Sequence, residues 1–327
     1  MQYPEKLNLA FLPTPIYPLP KLSEKYGKEI YIKRDDLTGV ETSGNKIRKL
    51  EYSLAEALRE GADLVITCGG IQSNHCRATA YAAARLSLKC CLLLRGNEAG
   101  EPNEGNYFLD KLVGADIVIR DPAVFNGHAN ALMEEIAETY RAQGYHPYII
   151  PMGASNGIGT FGYIHCMEEI LAQEQAMGLT FDTLVDAVGS GGTYAGLYAG
   201  AQLLSAGKRI VGFNVCDTAE QFRQEITEIL RETAGYLDCA PFDPAGIEII
   251  DGYVGRGYAL NRPEELAALT EFARMEGVVL DPVYTGKAYF GMIHELEKGT
   301  FADSRRILFL HTGGLYGLFP KEDEFGF

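Results

Sequence analysis

The chain has 327 residues, 46% of them hydrophobic and 22% charged, the balance of a folded globular protein long enough for two domains. A net charge of −15 at pH 7 argues against a nucleic-acid backbone or an acidic membrane surface as partner, so an anionic small ligand would need a local positive pocket. Seven cysteines, an odd count without a C-x-x-C pair, argue against a disulfide framework or a zinc site and fit reduced thiols in the cytoplasm.

The N-terminus, Met-Gln-Tyr-Pro-Glu-Lys, lacks a basic stretch followed by an apolar core, and no apolar run reaches membrane-spanning length. Prolines at 4, 13, 15, 18 and 20 predict an extended arm over residues 1–30 that wraps a neighbouring element. A short strand, Glu29 to Lys33, and a turn through Gly39 lead to Glu41-Thr42-Ser43-Gly44-Asn45-Lys46. Beyond it, Ile47, Leu50, Leu54, Ala57 and Leu58 have the spacing of one buried helical face. Ser43-Gly44-Asn45 is the start signal, which puts Lys46 in the first turn. There the positive end of the helix dipole disfavours a protonated amine, and Arg48 and Lys49 push the same way. A neutral lysine amine is a nucleophile that forms Schiff bases with aldehydes. For Lys49 by itself, a solvated basic face is an equally simple reading.

Alternation of short apolar strands with helices then runs through residue 151, and a second such set runs from 157 to 311. The fold class is therefore α/β, two open, mostly parallel sheets flanked by helices, with a cleft between lobes. Ligands in such folds bind beyond the carboxyl ends of strands, so the strand-to-helix turns are where chemistry is expected.

Four turns stand out. In Val188-Gly189-Ser190-Gly191-Gly192-Thr193 the backbone amides, the helix N-terminus and two hydroxyls can cradle a phosphate, although the pattern is neither a Walker loop nor a clean dinucleotide fingerprint. In Gly69-Gly70-Ile71-Gln72-Ser73-Asn74-His75, Ser73 and Asn74 take helix-cap positions, and the same polar groups could receive a carboxylate. Asp281-Pro282-Val283-Tyr284-Thr285-Gly286-Lys287 opens a helix, and His311-Thr312-Gly313-Gly314 ends the last strand. Gly252 to Tyr258 has the composition of a lid, though its tyrosines, like Tyr284, would pack equally well in a core.

Together these motifs resemble the fold type II (tryptophan-synthase-β-like) pyridoxal-phosphate enzymes, in the branch of D-cysteine desulfhydrase and 1-aminocyclopropane-1-carboxylate (ACC) deaminase. The resemblance spans nearly the whole chain, in order. It implies a large cofactor-binding domain of residues 1–47 and 160–327, a small domain of 48–159, a homodimer, and pyridoxal 5′-phosphate as cofactor. It also implies roles. Lys46 would carry the cofactor as a Schiff base and move the substrate α-proton. Gly189, Ser190, Gly191, Gly192 and Thr193, with Lys49, would bind the phosphate. Asn74 would bond the 3′-oxygen, Tyr284 would stack on the ring, and Thr312 would offer the ring a neutral hydrogen bond. Ser73, Asn74 and His75 would receive the substrate carboxylate, and Tyr258 would close over it.

Within the branch, deaminases generally carry glutamate and leucine where this chain has Thr285 and Thr312, and glutamine where it has His75. Neutral hydroxyls near the ring make a weaker electron sink, sufficient for α-proton removal and loss of a good leaving group. The resemblance thus implies α,β-elimination from a small amino acid, D-cysteine first, yielding pyruvate, hydrogen sulfide and ammonia. ACC deaminase and lyases acting on L-cysteate or other β-substituted amino acids are the alternatives, and a nucleotide-binding α/β domain is the non-enzymatic one.

Overall fold

The computed structural model describes residues 2–326. Strand β1 (Ile16–Pro18), helix α1 (Pro20–Tyr26) and strand β2 (Glu29–Arg34) come first. The predicted extended arm is thus interrupted by a helix, because Pro20 sits at its first position, where a missing N–H costs nothing. The residues before β1 do wrap a neighbour: the Leu9 and Ala10 amides donate to Glu51 Oε1 at 2.7 and 2.8 Å.

Helix α2 (Lys46–Arg59) follows, then β3 (Leu64–Gly70), α3 (Asn74–Arg85), β4 (Lys89–Arg95), α4 (Gly105–Leu112), β5 (Asp116–Arg120), the short α5 (Pro122–Phe125), α6 (Ala129–Arg141) and β6 (Pro147–Ile149). These strands form a parallel sheet in the order β5-β4-β3-β6. The long helix α7 (Gly157–Met177) leads to β7 (Thr183–Val188), α8 (Gly192–Leu203), β8 (Arg209–Asn214), α9 (Ala219–Leu237), β9 (Glu248–Ile250), α10 (Pro263–Glu276), α11 (Thr285–Lys298) and β10 (Arg306–His311). They join the N-terminal strands in a second sheet, β1-β2-β10-β7-β8-β9, parallel except for β1. The last strand therefore lies between the first strands and β7, which brings residues 35–46, 186–193 and 311–313 to one edge of the sheet.

Strands buried on both faces need apolar side chains on both, and β7 shows the pattern: Leu184 and Val188 join the core under α7 and α8, while Val185 and Ala187 join the core under α10 and α11. Against this background a buried ion network fixes α2. Arg48 Nε and Nη2 bond both oxygens of Asp35 at 2.8 Å, and Nη1 bonds Glu169 of α7 at 2.9 Å. Lys33 of β2 holds Glu169 from the other side at 2.5 Å, and the Tyr163 hydroxyl donates to Asp35 at 2.6 Å. Burial alone would raise the Asp35 carboxyl, but the Arg48 and Lys33 cations pull it down to about 2. Two cations and two anions leave no uncompensated charge.

Replacing Arg48 by Met is expected to take from buried Asp35 its ion-pair partner, while Glu169 keeps Lys33, and to cost about 3–5 kcal/mol, read from the midpoint of urea unfolding. Because the Asp35 carboxyl is depressed on folding, its contribution is complete above about pH 4 and is lost as pH falls through the folded value of about 2. That acid limb should disappear in the variant.

Candidate active site

A cavity of about 240 Å³ opens at the carboxyl ends of the central strands, and Lys46, Ser73, Asn74, His75, Gly189, Ser190, Gly191, Thr193, Tyr258, Tyr284 and Thr312 all line it. Of the residues expected in the site, Lys49 and Gly192 stand one layer back. Both act through Ser155: Lys49 Nζ donates to its hydroxyl at 3.3 Å, and a Cβ on Gly192 would meet that oxygen at 2.6 Å.

Lys46 is the first residue of α2. Asn45 before it makes no side-chain cap and instead bridges two helices, accepting from Lys46 Nζ at 2.8 Å through Oδ1 and donating to Thr193 Oγ1 of α8 at 2.9 Å through Nδ2. What remains exposed of Lys46 faces the cavity, and desolvation lowers its amine from the usual lysine value to about 8. Asp186 and Asp281 oppose that shift, and Arg77 of α3 adds to it. The sequence argument named Arg48 as a neighbouring cation, but the Arg48 guanidinium is neutralised by Asp35 and Glu169; burial is the larger cause. Lys49 is fully buried, and desolvation followed by the nearby Lys46 charge holds its amine well below the ordinary value.

Opposite the amine, Tyr284 caps α11, its ring centroid 5.7 Å from Lys46 Nζ. The ring lies so close to the turn after β7 that a Cβ on Gly189 would come within 2.9 Å of it. The Tyr284 and Tyr258 hydroxyls hydrogen-bond each other, and the Arg95 guanidinium lies 5.5 Å from the Tyr258 ring centroid. At the far end, Ser190 and Ser155 share a hydrogen bond of 2.8 Å beside the first-turn amides of α8, which have no carbonyl partners within the helix.

On the α3 side, Ser73 is the helix cap, accepting from the Cys76 amide at 3.1 Å. Asn74 is the first helical residue and caps nothing; its oxygen accepts from Arg77 and Asn106 at 3.2 and 3.1 Å, which leaves its NH2 as a donor for the cavity. The His75 ring is buried, with Nε2 2.7 Å from Thr67 Oγ1 and Nδ1 without a partner. Burial, then the Lys46 and Lys49 charges, keep that imidazole neutral. Thr312 faces the cavity, whereas the Thr285 hydroxyl is turned away into a 2.6 Å bond with Asp281. Of the two threonines expected beside the ring, Thr312 alone lines the cavity, because Asp281 uses both oxygens to cap the 283–285 turn.

These groups suit a phosphorylated aromatic aldehyde. A buried lysine amine reaches the space beside an aromatic ring, and at the other end Lys49, with one hydrogen-bond partner for three N–H donors, lies behind two serine hydroxyls and a helix N-terminus. The family model described as "Pyridoxal-phosphate dependent enzyme" matches residues 7–313, and the chain belongs to that family of pyridoxal-phosphate-dependent proteins. A D-cysteine desulfhydrase of Yersinia enterocolitica is 43% identical over 99% of this chain and 97% of its own length. A Pyrococcus abyssi protein named provisionally as 1-aminocyclopropane-1-carboxylate deaminase is 41% identical over 98% of this chain and 94% of its own. The crystal structure of an ACC deaminase homologue superposes with a TM-score of 0.91 at 40% identity, covering 99% of this chain and 96% of that one. A Thermus threonine deaminase, at 21% identity and TM-score 0.65, covers 92% of each chain and shares the fold.

From the sequence, Ser155, Arg77 and Asp186 carried no expected role, and Asn45 only that of a helix start. For Asp186 a signal was present: a carboxylate inside the otherwise apolar strand Leu184-Val185-Asp186-Ala187-Val188. Ser155 and Arg77 had none, since they reach the site only through the packing of α7 and α3.

Inorganic phosphate is expected to raise the melting temperature of the cofactor-free protein by occupying the Ser155–Ser190 end. Lys49→Gln should abolish that increment and weaken retention of pyridoxal phosphate by about 10–150-fold, the value of about 1.5–3 kcal/mol for a charge-assisted hydrogen bond. Equilibrium dialysis measures it.

Proposed function

We propose that the chain is a pyridoxal-phosphate-dependent lyase that converts D-cysteine and one water to pyruvate, hydrogen sulfide and ammonia. The observation that carries the class is the buried Lys46 amine, in one cavity with the Tyr284 ring and the Ser190 turn. The choice of substrate is supported by the full-length likeness to a D-cysteine desulfhydrase and by Thr312, a neutral hydroxyl where the deaminase resemblance calls for leucine.

Bound pyridoxal phosphate supplies an aldehyde that bonds covalently to an amine and a ring that accepts the electron pair left behind when an α-proton departs. Lys49, the Ser190 and Ser155 hydroxyls and the amides of Gly191 to Thr193 would hold its phosphate. The Asn74 NH2 would supply a donor to its 3′-oxygen, and the Tyr284 ring would flank it. The Ser73 hydroxyl and the free amides at the start of α3 hold the substrate carboxylate, with His75 beneath them, its neutral ring fixed by Thr67. The Lys46 amine, near neutrality because it is desolvated, takes the α-proton at Nζ. Tyr258, bonded to Tyr284, closes the cavity over the β-carbon and limits water while sulfide leaves.

Residues 1–47 with 160–327 and residues 48–159 form the two proposed domains, a division supported by the separate six- and four-stranded sheets. A cytoplasmic homodimer is the proposed working form. Seven free thiols support a reducing compartment, and no helix among the described residues is long and apolar enough to cross a membrane. Light scattering should give twice the 35.8 kDa chain mass.

The purified protein is expected to be yellow and to bleach with borohydride, and Lys46→Ala should be colourless after incubation with cofactor. Pyruvate and sulfide should form from D-cysteine faster than from L-cysteine or L-cysteate. Rapid 2-oxobutyrate formation from ACC with little sulfide from D-cysteine would assign the deaminase reaction instead. Thr312→Val, which removes the hydroxyl at nearly constant volume, should lower sulfide release about tenfold, the effect of one hydrogen bond of about 1.5 kcal/mol. Thr285→Glu is a poorer probe, because it dismantles the Asp281 cap.

A further inference from the structure

Asp186 is placed where an acidic residue is hardest to explain by packing. Along β7 it falls on the same face as Leu184 and Val188, the face that packs under α7 and α8. Across the sheet its neighbour in register is Gly212, which contributes no side chain. The carboxylate is fully buried, no side chain hydrogen-bonds either oxygen and only the Ala187 backbone amide lies against it, and yet it lines the cavity that holds Lys46. A buried carboxylate with so little donor support is costly, and the usual compensation is an opposite charge close by. The first and largest charge acting on it is Lys46, with Lys49 behind and Asp35 opposing; Asp186 is in turn the largest charge acting on Lys46.

We propose that Asp186 is a positioning residue for the cofactor lysine, the buried counter-charge on the cavity wall that sets how readily Lys46 gives up its proton. The two share the cavity without a direct hydrogen bond or ion pair, so the coupling is electrostatic: an ionised Asp186 favours the Lys46 ammonium, and loss of that charge favours the neutral amine. As a neutral amine Lys46 has a free electron pair and can attack a carbonyl; as an ammonium it cannot. Desolvation pushes the carboxyl up to about 7 and the amine down to about 8, toward one another, so each charge state bears on the other. The other charged and titratable groups facing the pair are Asp35 from the turn after β2, Asp281 and Tyr284 from the turn before α11, Arg77 and the neutral His75 from α3, Tyr194 from α8, and Lys49 from α2; none of them hydrogen-bonds either member. The role rests on Lys46 being the cofactor lysine, but its test does not need the cofactor.

In cofactor-free protein, the pH dependence of Lys46 acetylation by acetic anhydride, followed by mass spectrometry of its peptide, reports the neutral-amine fraction. Asp186→Asn, which keeps the shape and removes the charge, should move the midpoint down by about one pH unit, making Lys46 about tenfold more reactive below the wild-type midpoint. Asp186→Glu should restore it toward the wild-type value. A merely structural carboxylate would leave the midpoint in place, and an unchanged midpoint in folded Asp186→Asn overturns the proposal. Should Asp186→Asn fail to fold, the wild-type curve decides: a titration spread over more than one group supports the electrostatic coupling, and a single-group curve overturns it. Failure of Lys46→Ala to abolish cofactor attachment would instead overturn the assignment of Lys46, and is read separately.

Discussion

The clamp on Arg48 sets the rotation of α2, and the cleft chemistry depends on that rotation. Successive residues of a helix turn by about 100°, so Lys46 and Lys49 lie about 60° apart on one side while Arg48 points to the other. With Arg48 held by Asp35 and Glu169, and Glu169 held in turn by Lys33, the two lysines can only point toward the cavity. A helix free to rotate would release both amines to water, where they would be ordinary ammonium groups.

Desolvation, rather than a neighbouring cation, then does most to neutralise the amine of Lys46. The same burial makes every nearby charge count for more. Arg77 joins the α3 turn to the Lys46 loop by donating to the Ser43 and Glu41 carbonyls, and it also weakens protonation of Lys46. Asn45 ties the lysine to α8 and hence to the phosphate end of the cavity. Anchoring and electrostatics are therefore properties of the same few side chains.

Much of the architecture was legible in the chain. Strand β4 and then α7, α11 and β10 fall within the two alternating strand-and-helix sets expected through residue 151 and over 157–311, because buried segments carry repeated apolar signals. The N-terminal helix α1 was hidden by prolines that equally suit an extended arm; Asn45 does hold the cap position but its side chain is claimed by Thr193 and Lys46, and Asn74, expected at a cap, is the first helical residue with its oxygen claimed by Asn106 and Arg77. Thr285 failed for a related reason: its local turn engages its hydroxyl before any ligand can.

The sequence by itself determined the secondary elements, the placement of Lys46 at a helix start and the glycine turn at residues 189–193, since each depends on contacts between residues near in the chain. Only the tertiary structure decided which of these meet. Insertion of β10 between β2 and β7 brings Thr312 beside Asn45 and the β7 turn, and the packing of α2 on α7 buries Lys49 and Arg48. The protonation of Lys46 follows from desolvation by segments hundreds of residues apart, a quantity that no local pattern encodes.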